Sequence, residues 1–314
     1  MTPGKAYISS EDIRPLAKRS NVVGAGLILH CWGLITGAVV LFSWLPNPLT
    51  FVLAIMVIGS RQLGLAILMH EAAHNALFRT QRLNEFVGEW LCGRPILAEL
   101  GAYRHYHLTH HRFTQTDQDP DLVLSSKFPT TRASLMRKFV RDITGQTGVK
   151  QLVAQILLSV RLAGDDDAID AATRDFAQAF KTTDLWKSLP VFLGVMLIMS
   201  VAGEWWYGIA FWLLPFLTWF QLVLRVRNIA EHGATEMSDD PLRNVRTTHA
   251  GPLMRLFVAP YWVNYHLEHH MVMHVPCWKL PRMHKLLIDK GLGPQMRTAA
   301  SYWRALGEAG WRNA

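Results

Sequence analysis

Residues 22–45, VVGAGLILHCWGLITGAVVLFSWL, hold no formal charge over 24 positions. At 1.5 Å of rise per residue, a helix of that length reaches about 36 Å, enough to cross the hydrocarbon core of a bilayer. The rest of the chain agrees with a membrane setting. Half of its 314 residues are hydrophobic and only 18% are charged, where soluble domains carry about a quarter. A second apolar run, residues 51–69, leads directly into His70. A third span is expected over 186–204 and a fourth over 205–224, with Trp and Tyr gathered where an interfacial belt belongs. No strand-like alternation is sustained, so the expected class is an all-α polytopic membrane protein with about four spans, folded as one domain over 1–314.

Lys and Arg give the orientation. The connectors PNPLT and GEWWYG contain neither, whereas the N-terminal tail, residues 79–187 and the stretch from Arg225 onward are rich in both. Both termini and the long middle segment are therefore expected on the cytoplasmic side, in the inner membrane if the source is bacterial. The net charge of +8 then reflects this bias and attraction to anionic headgroups, with no aromatic-basic pattern pointing to nucleic acid. The tail before the first span is polar and the apolar run after it is too long for a signal-peptide core. Cys31, Cys92 and Cys277 are too scattered for a disulfide framework or a cysteine-based zinc site.

The polar segments are long enough to fold into a helical cap over 70–185 and 225–290. Residues 86–101 suit an interfacial or re-entrant helix, and residues 133–181 look helical, with the acidic run GDDDAIDAATRD reading as a solvated turn and helix start.

The chemistry lies in the histidines. His70-Glu71-Ala72-Ala73-His74 fits the H-E-x-x-H zinc-peptidase pattern, and equally a plain pair of imidazoles on one helical face. YHLTHH (106–111) and YHLEHH (265–270) repeat one pattern about 160 residues apart. Spacings of three and four keep the rings of each box within one arc of a helix. Neutral imidazole is a common ligand for iron, zinc and copper, and eight or nine of them exceed what one ion holds, so two metals are implied. The topology delivers His70 and His74, box two, His232 just past span four, and box three to the same membrane face.

HEAAH, HLTHH and HLEHH in this topology resemble the membrane fatty-acid desaturase and hydroxylase superfamily, from about Arg61 to Leu287. DQDPDL after box two, RNIAEHG before box three, and NYHLEHH continuing to a Val-Pro pair support the likeness. The resemblance implies a non-haem di-iron centre. It implies one iron among His70, His74, His107, His111 and His270, another among His110, His232, His266 and His269, and Asn228 reaching the second through a water. His105 and His274 flank the boxes outside the pattern, and His30, His249 and His284 are outliers. Box three begins with His266 where front-end desaturases carry Gln, which disfavours that subgroup.

Taking hydrogen from an unactivated C–H bond needs an oxidant made from O₂. Glu71, Glu231, Glu268, Asp117, Asp119 and Asp121 are candidates to orient the ligand rings, Glu231 and Asp119 foremost. The acyl chain would thread between the spans past Gly59, Gly64 and Ala66, unless these residues only pack helices. Arg61 in span two is either functional or paired, and His30 reads as a hydrogen-bonded core residue. No G-x-G-x-x-G turn, P-loop or haem-domain H-P-G-G occurs, so electrons are expected from a separate ferredoxin, rubredoxin or cytochrome b5-type donor. The expected activity is O₂-dependent desaturation of a lipid acyl chain. The alternatives are hydroxylation or ketolation of a carotenoid, sphingolipid or other lipid, more distantly a membrane zinc peptidase, or a haem- or metal-carrying protein without catalysis.

Overall fold

The computed structural model describes residues 7–161 and 185–310, and the statements below concern these. Helix α1 (Ser10–Leu16) is capped by the Ser9 hydroxyl, and α2 (Asn21–Trp44) by Ser20. A tight turn follows, in which Asn47 and Thr50 cap each other's backbone and Pro48 occupies the first turn of α3 (Pro48–Ala73). Next come α4 (Gln81–Val87), a π-helical turn Gly88–Gly93, a 3₁₀ turn Arg94–Ile96, and α5 (Leu100–Phe113). The cap continues with α6 (Leu122–Ser125), α7 (Arg132–Ile143) and α8 (Gln146–Arg161).

Helix α9 (Leu185–Ala202) is the third span. The fourth, Ile209–His232, is broken into a π-helical turn (Ile209–Leu213), α10 (Leu214–Leu217) and α11 (Trp219–His232). The rest is cap. It comprises a two-residue strand β1 (Thr247–Thr248), α12 (Pro252–Phe257), α13 (His266–Met271), α14 (Leu280–Asp289), β2 (Thr298–Ala299) paired parallel to β1, and α15 (Tyr302–Ala309).

Four helices are thus long and apolar enough to cross a membrane. They are not equivalent: 67% of the apolar window of α3 is buried inside the protein, against 22% for α2 and 17% for α9. Helix α3 is the central post, with α2 and α9 turned outward, and it carries box one at its inner end.

Several boundaries differ from the sequence expectation. The fourth span starts at Ile209 rather than 205, and its last helix runs past Leu224 through His232, which is the last helical residue and not a loop residue beyond it. Charge does not end the helix because it is covered: Arg225 pairs with Asp142, which is fully buried on α7, and Arg227 with Glu231 one turn on. Residues 86–101 form a broken wedge against α3, not one helix. Gly88 is required there, since a Cβ would meet that of Ala72 at 2.5 Å. The helical reading of 133–181 holds for α7 and α8, while the acidic run 164–175 lies outside the described residues.

Gly59 and Gly64 do not open a path for an acyl chain. A Cβ on Gly59 would meet Trp219 at 2.9 Å, and one on Gly64 would meet the ring of Tyr261 at 2.8 Å, so both serve close packing. Arg61 is buried and donates to the carbonyls of Arg255 (3.2 Å) and Leu256 (2.6 Å) at the end of α12, its guanidinium 5.5 Å from the Tyr261 ring centre. It is therefore a cap for a helix end. His30 is hydrogen-bonded to the Tyr261 hydroxyl (3.1 Å) but is exposed on the outer face of α2, not in the core. The three cysteines are buried and unpaired.

A candidate two-metal centre

Box one ends α3. His70 and His74 sit one turn apart, and Asn75, at φ 52°, turns the chain away in the left-handed region that Asn tolerates. Box two occupies the last two turns of α5, box three all of α13, and His232 the end of α11. All nine imidazoles are buried. They form two cages in which the ligand atoms lie within 4.8 Å of one another: His70, His74, His107, His111 and His269 in one, and His110, His232, His266 and His270 in the other.

The membership of the two cages corrects the expected division at one pair, exchanging His269 and His270. The reason is helical geometry. Residues four apart share a face, so His70/His74, His107/His111 and His266/His270 each stay together, and the remaining box histidine in each of α5 and α13 points about 100° away, into the opposite cage. Box two therefore gives its pair to the five-histidine cage and His110 to the other, while box three does the reverse with His269.

The residues fit metal ions. Ring nitrogens approach in like pairs: Nε2 of His107 and His111 at 2.9 Å, of His111 and His269 at 3.0 Å, of His232 and His266 at 2.8 Å. Two nitrogens bound at right angles to an ion about 2.1 Å away are separated by about 3 Å. Both ring nitrogens of His70 and His74, and Nε2 of His110 and His270, are buried with no hydrogen-bond partner, a costly arrangement unless an ion takes the lone pairs. Burial holds His74, His107, His111, His266, His269 and His270 well below the usual imidazole range, so these rings are neutral and ready to ligate. His110 is the exception: burial lowers its pKa, but Asp121 and Asp119 outweigh that and raise it.

Carboxylates grip the outer ring nitrogens. Asp119 lies 2.7 Å from Nδ1 of His110 and also accepts the backbone N–H of Gln115 and Asp121; Asp121 is 3.5 Å from the same nitrogen and bonds the Tyr106 hydroxyl. Glu231 is 3.5 Å from Nδ1 of His266 and is clamped by two 2.7 Å contacts from Arg227. Glu71 is 3.5 Å from Nδ1 of His70 and accepts the Cys277 N–H at 2.8 Å. Glu268 touches no ligand ring among these contacts; it holds His284 and the Thr247 hydroxyl, each at 2.5 Å. Asp117 is exposed.

Asn228 lies one turn before His232 and is half-buried; His105 is exposed and His274 half-buried. The residues that the sequence reading missed are Arg227, His284 and Tyr103, whose ring stacks on His107 at 5.2 Å and 10°. Tyr103 and His107 are four apart on α5, as are Arg227 and Glu231 on α11, so the helical spacing could have found them. The contact of His284 is tertiary and leaves no such trace.

The peptidase reading of HEAAH fails on this geometry. Glu71 is 2% exposed and one of its oxygens accepts the Cys277 backbone N–H, which keeps it away from any water that a peptidase base would have to activate. Its two histidines are part of a nine-ring assembly.

The fold and site define a class: a helical protein with membrane-crossing helices and a buried pair of histidine cages at one end of them. Within that class, residues 14–299 match the fatty acid desaturase family, and the chain belongs to it. It is similar to the dihydrorhizobitoxine desaturase of Bradyrhizobium elkanii, 26% identical over 94% of this chain and 82% of that protein. It is also similar to the beta-carotene ketolase of Paracoccus sp. (strain PC1), 25% identical over 87% of this chain and 96% of that protein. The chain is thus an oxidoreductase of the desaturase and ketolase superfamily.

Proposed function

We propose that this protein is an O₂-dependent di-iron oxidoreductase that introduces a double bond into a lipid acyl chain. The observation that carries the reading is the pair of cages, nine buried histidines in two groups whose ligand atoms lie within 4.8 Å of one another. His70, His74, His107, His111 and His269 would hold one iron, and His110, His232, His266 and His270 the other, with Asn228 near the second. Iron bound there would supply the oxidising power, through O₂, that C–H cleavage needs.

The chain's own residues set the conditions. Asp119 keeps the proton of His110 on Nδ1 and aims Nε2 into the cage. Arg227 clamps Glu231 beside His266, and the Cys277 amide holds Glu71 near His70. Burial of every ring excludes bulk water that would consume reactive species. The balance closes with an external donor: O₂ takes two electrons from the substrate's two C–H bonds and two from the donor, with two protons, leaving an alkene and two waters. The Lys/Arg distribution favours a cytoplasmic position for the cages and both termini, where a ferredoxin, rubredoxin or cytochrome b5-type carrier would reach them.

The likeness to a ketolase favours a second reading, insertion of oxygen into a carotenoid or other lipid. Expression in a host with a compatible reductase, followed by mass spectrometry of its lipids, separates the two. Loss of two hydrogens is the expected result, gain of oxygen establishes the second reading, and no oxidised lipid contradicts both.

A further inference from the structure

Two carboxylates beside the cages, Glu71 and Glu268, both reach one short segment. On the five-histidine side, Glu71 stands against His70 and accepts the backbone N–H of Cys277. In box three itself, Glu268 lies in α13 between His266 and the His269–His270 pair and is bonded to Nδ1 of His284, which is half-buried on α14. Cys277 and His284 belong to one short stretch, the 3₁₀ turn Cys277–Lys279 and α14. Glu71 thus stands between His70 and this segment, and Glu268 joins the box-three helix to it without touching a ligand ring.

The outer face of that stretch is basic. Arg282 and Lys285 are exposed, one helical turn apart. Lys279 reaches back to the Pro15 carbonyl (2.8 Å) and Lys290 to Asp12 (2.7 Å), which brings the exposed Lys18 and the half-buried Arg19 to the same face. The charges of Arg282 and Lys18 both bear on Lys279 after its burial, and that of Arg19 on His274. Glu11 and Asp289 are the exposed acids at the rim, and Asp12 is neutralised by Lys290. Ile288, 46% exposed, adds an apolar contact.

We propose that this face, built from residues 277–290 with Lys18 and Arg19, is the docking surface for a small acidic one-electron carrier protein, with His284–Glu268 and Cys277–Glu71 as its two entries to the cages. The inference rests on the di-iron reading above. Each carrier would give up one electron, any iron held in the cages being its acceptor, and two encounters would supply the pair that the reaction requires. Positive charge around the entry steers an acidic partner and sets its orientation. An anionic lipid surface would also be drawn to Lys and Arg, but it has no use for a basic face set directly outside Glu71 and Glu268.

The test uses the full chain in phosphatidylcholine nanodiscs, with a plant-type [2Fe–2S] ferredoxin and the soluble haem domain of cytochrome b5 as acidic probes. Binding is measured on the metal-free protein, and reduction of the metals on the iron-loaded one. The double substitution Arg282→Glu/Lys285→Glu is expected to raise Kd by about tenfold or more and to flatten its salt dependence. Charge reversal at the exposed Arg137 and Arg141 of α7 should leave Kd within about twofold. His284→Phe is expected to leave Kd unchanged while slowing metal reduction at saturating probe by about tenfold, a split that a folding defect would not give. Equal Kd values for wild type and the Arg282/Lys285 variant, or no binding of either probe to the wild type, overturn the proposal. So does a variant that loses only binding to phosphatidylglycerol vesicles, which assigns the face to the membrane. A chain that takes up no iron overturns the di-iron reading instead, and the Kd values on metal-free protein are independent of it.

Discussion

Asp119 is the residue on which the orientation of His110 depends. It is 6% exposed, bonds Nδ1 at 2.7 Å and is itself held by two backbone amides. Asp119→Asn keeps the shape but offers no charge to the ring, and loss of such a partner costs about 10–100-fold in metal affinity. Metal titration should show that loss at one of two sites, and an unchanged affinity at both would remove Asp119 from its role. His→Ala at any of the nine caged positions is expected to abolish product in the lipid assay, whereas His249→Ala, at an exposed position, should leave it. Full activity in His232→Ala would take that ring out of the centre. His284 shares the sequence profile of His249 and packs edge-on against it at 6.0 Å, and its bond to Glu268 is the reason for separating them.

At the level of elements, α3 carries most of the architecture, and its contacts are tight enough to be tested. Gly88→Ala puts a methyl at 2.5 Å from the Ala72 side chain, in the helical turn that bears box one. Overpacking of this kind costs about 1–3 kcal/mol, so a lowered Tm is expected, together with reduced iron content; an unaltered Tm would show that the wedge 88–96 yields. Arg61→Leu would strand the carbonyls of Arg255 and Leu256 in an apolar setting, at about 1–3 kcal/mol. Its thermal melt should fall while the cages, about 13 Å further along α3, keep their metal. Elements were legible in the sequence where a single property decides them: the uncharged runs mark the spans, and spacing of four marks the box faces. The end of the fourth span was not, because Arg225 and Arg227 are helical only by virtue of Asp142 and Glu231, one of them from a distant helix. The exchange of His269 and His270 was legible in principle, since His266 and His270 are four apart and could not be parted.

For the molecule as a whole, the nine caged rings are those that the family resemblance named; clustering along the chain alone would have added His105 and His274 and left out the solitary His232. What holds those rings in place did not follow. Glu71 meets Cys277 across 206 positions and Glu268 meets Thr247 across 21, contacts that only the folded chain creates. The outcome of the reaction is equally outside the pattern of ligands, since the same family includes a desaturase and a ketolase among the relatives of this chain.

The central claim is that the two cages hold two irons. Elemental analysis of the protein purified in detergent without added metal tests it most directly. About two irons per chain and no stoichiometric zinc is the expected result, falling to about one or fewer in a His266→Ala/His270→Ala variant that empties one cage. One zinc per chain, with no iron, would contradict the account.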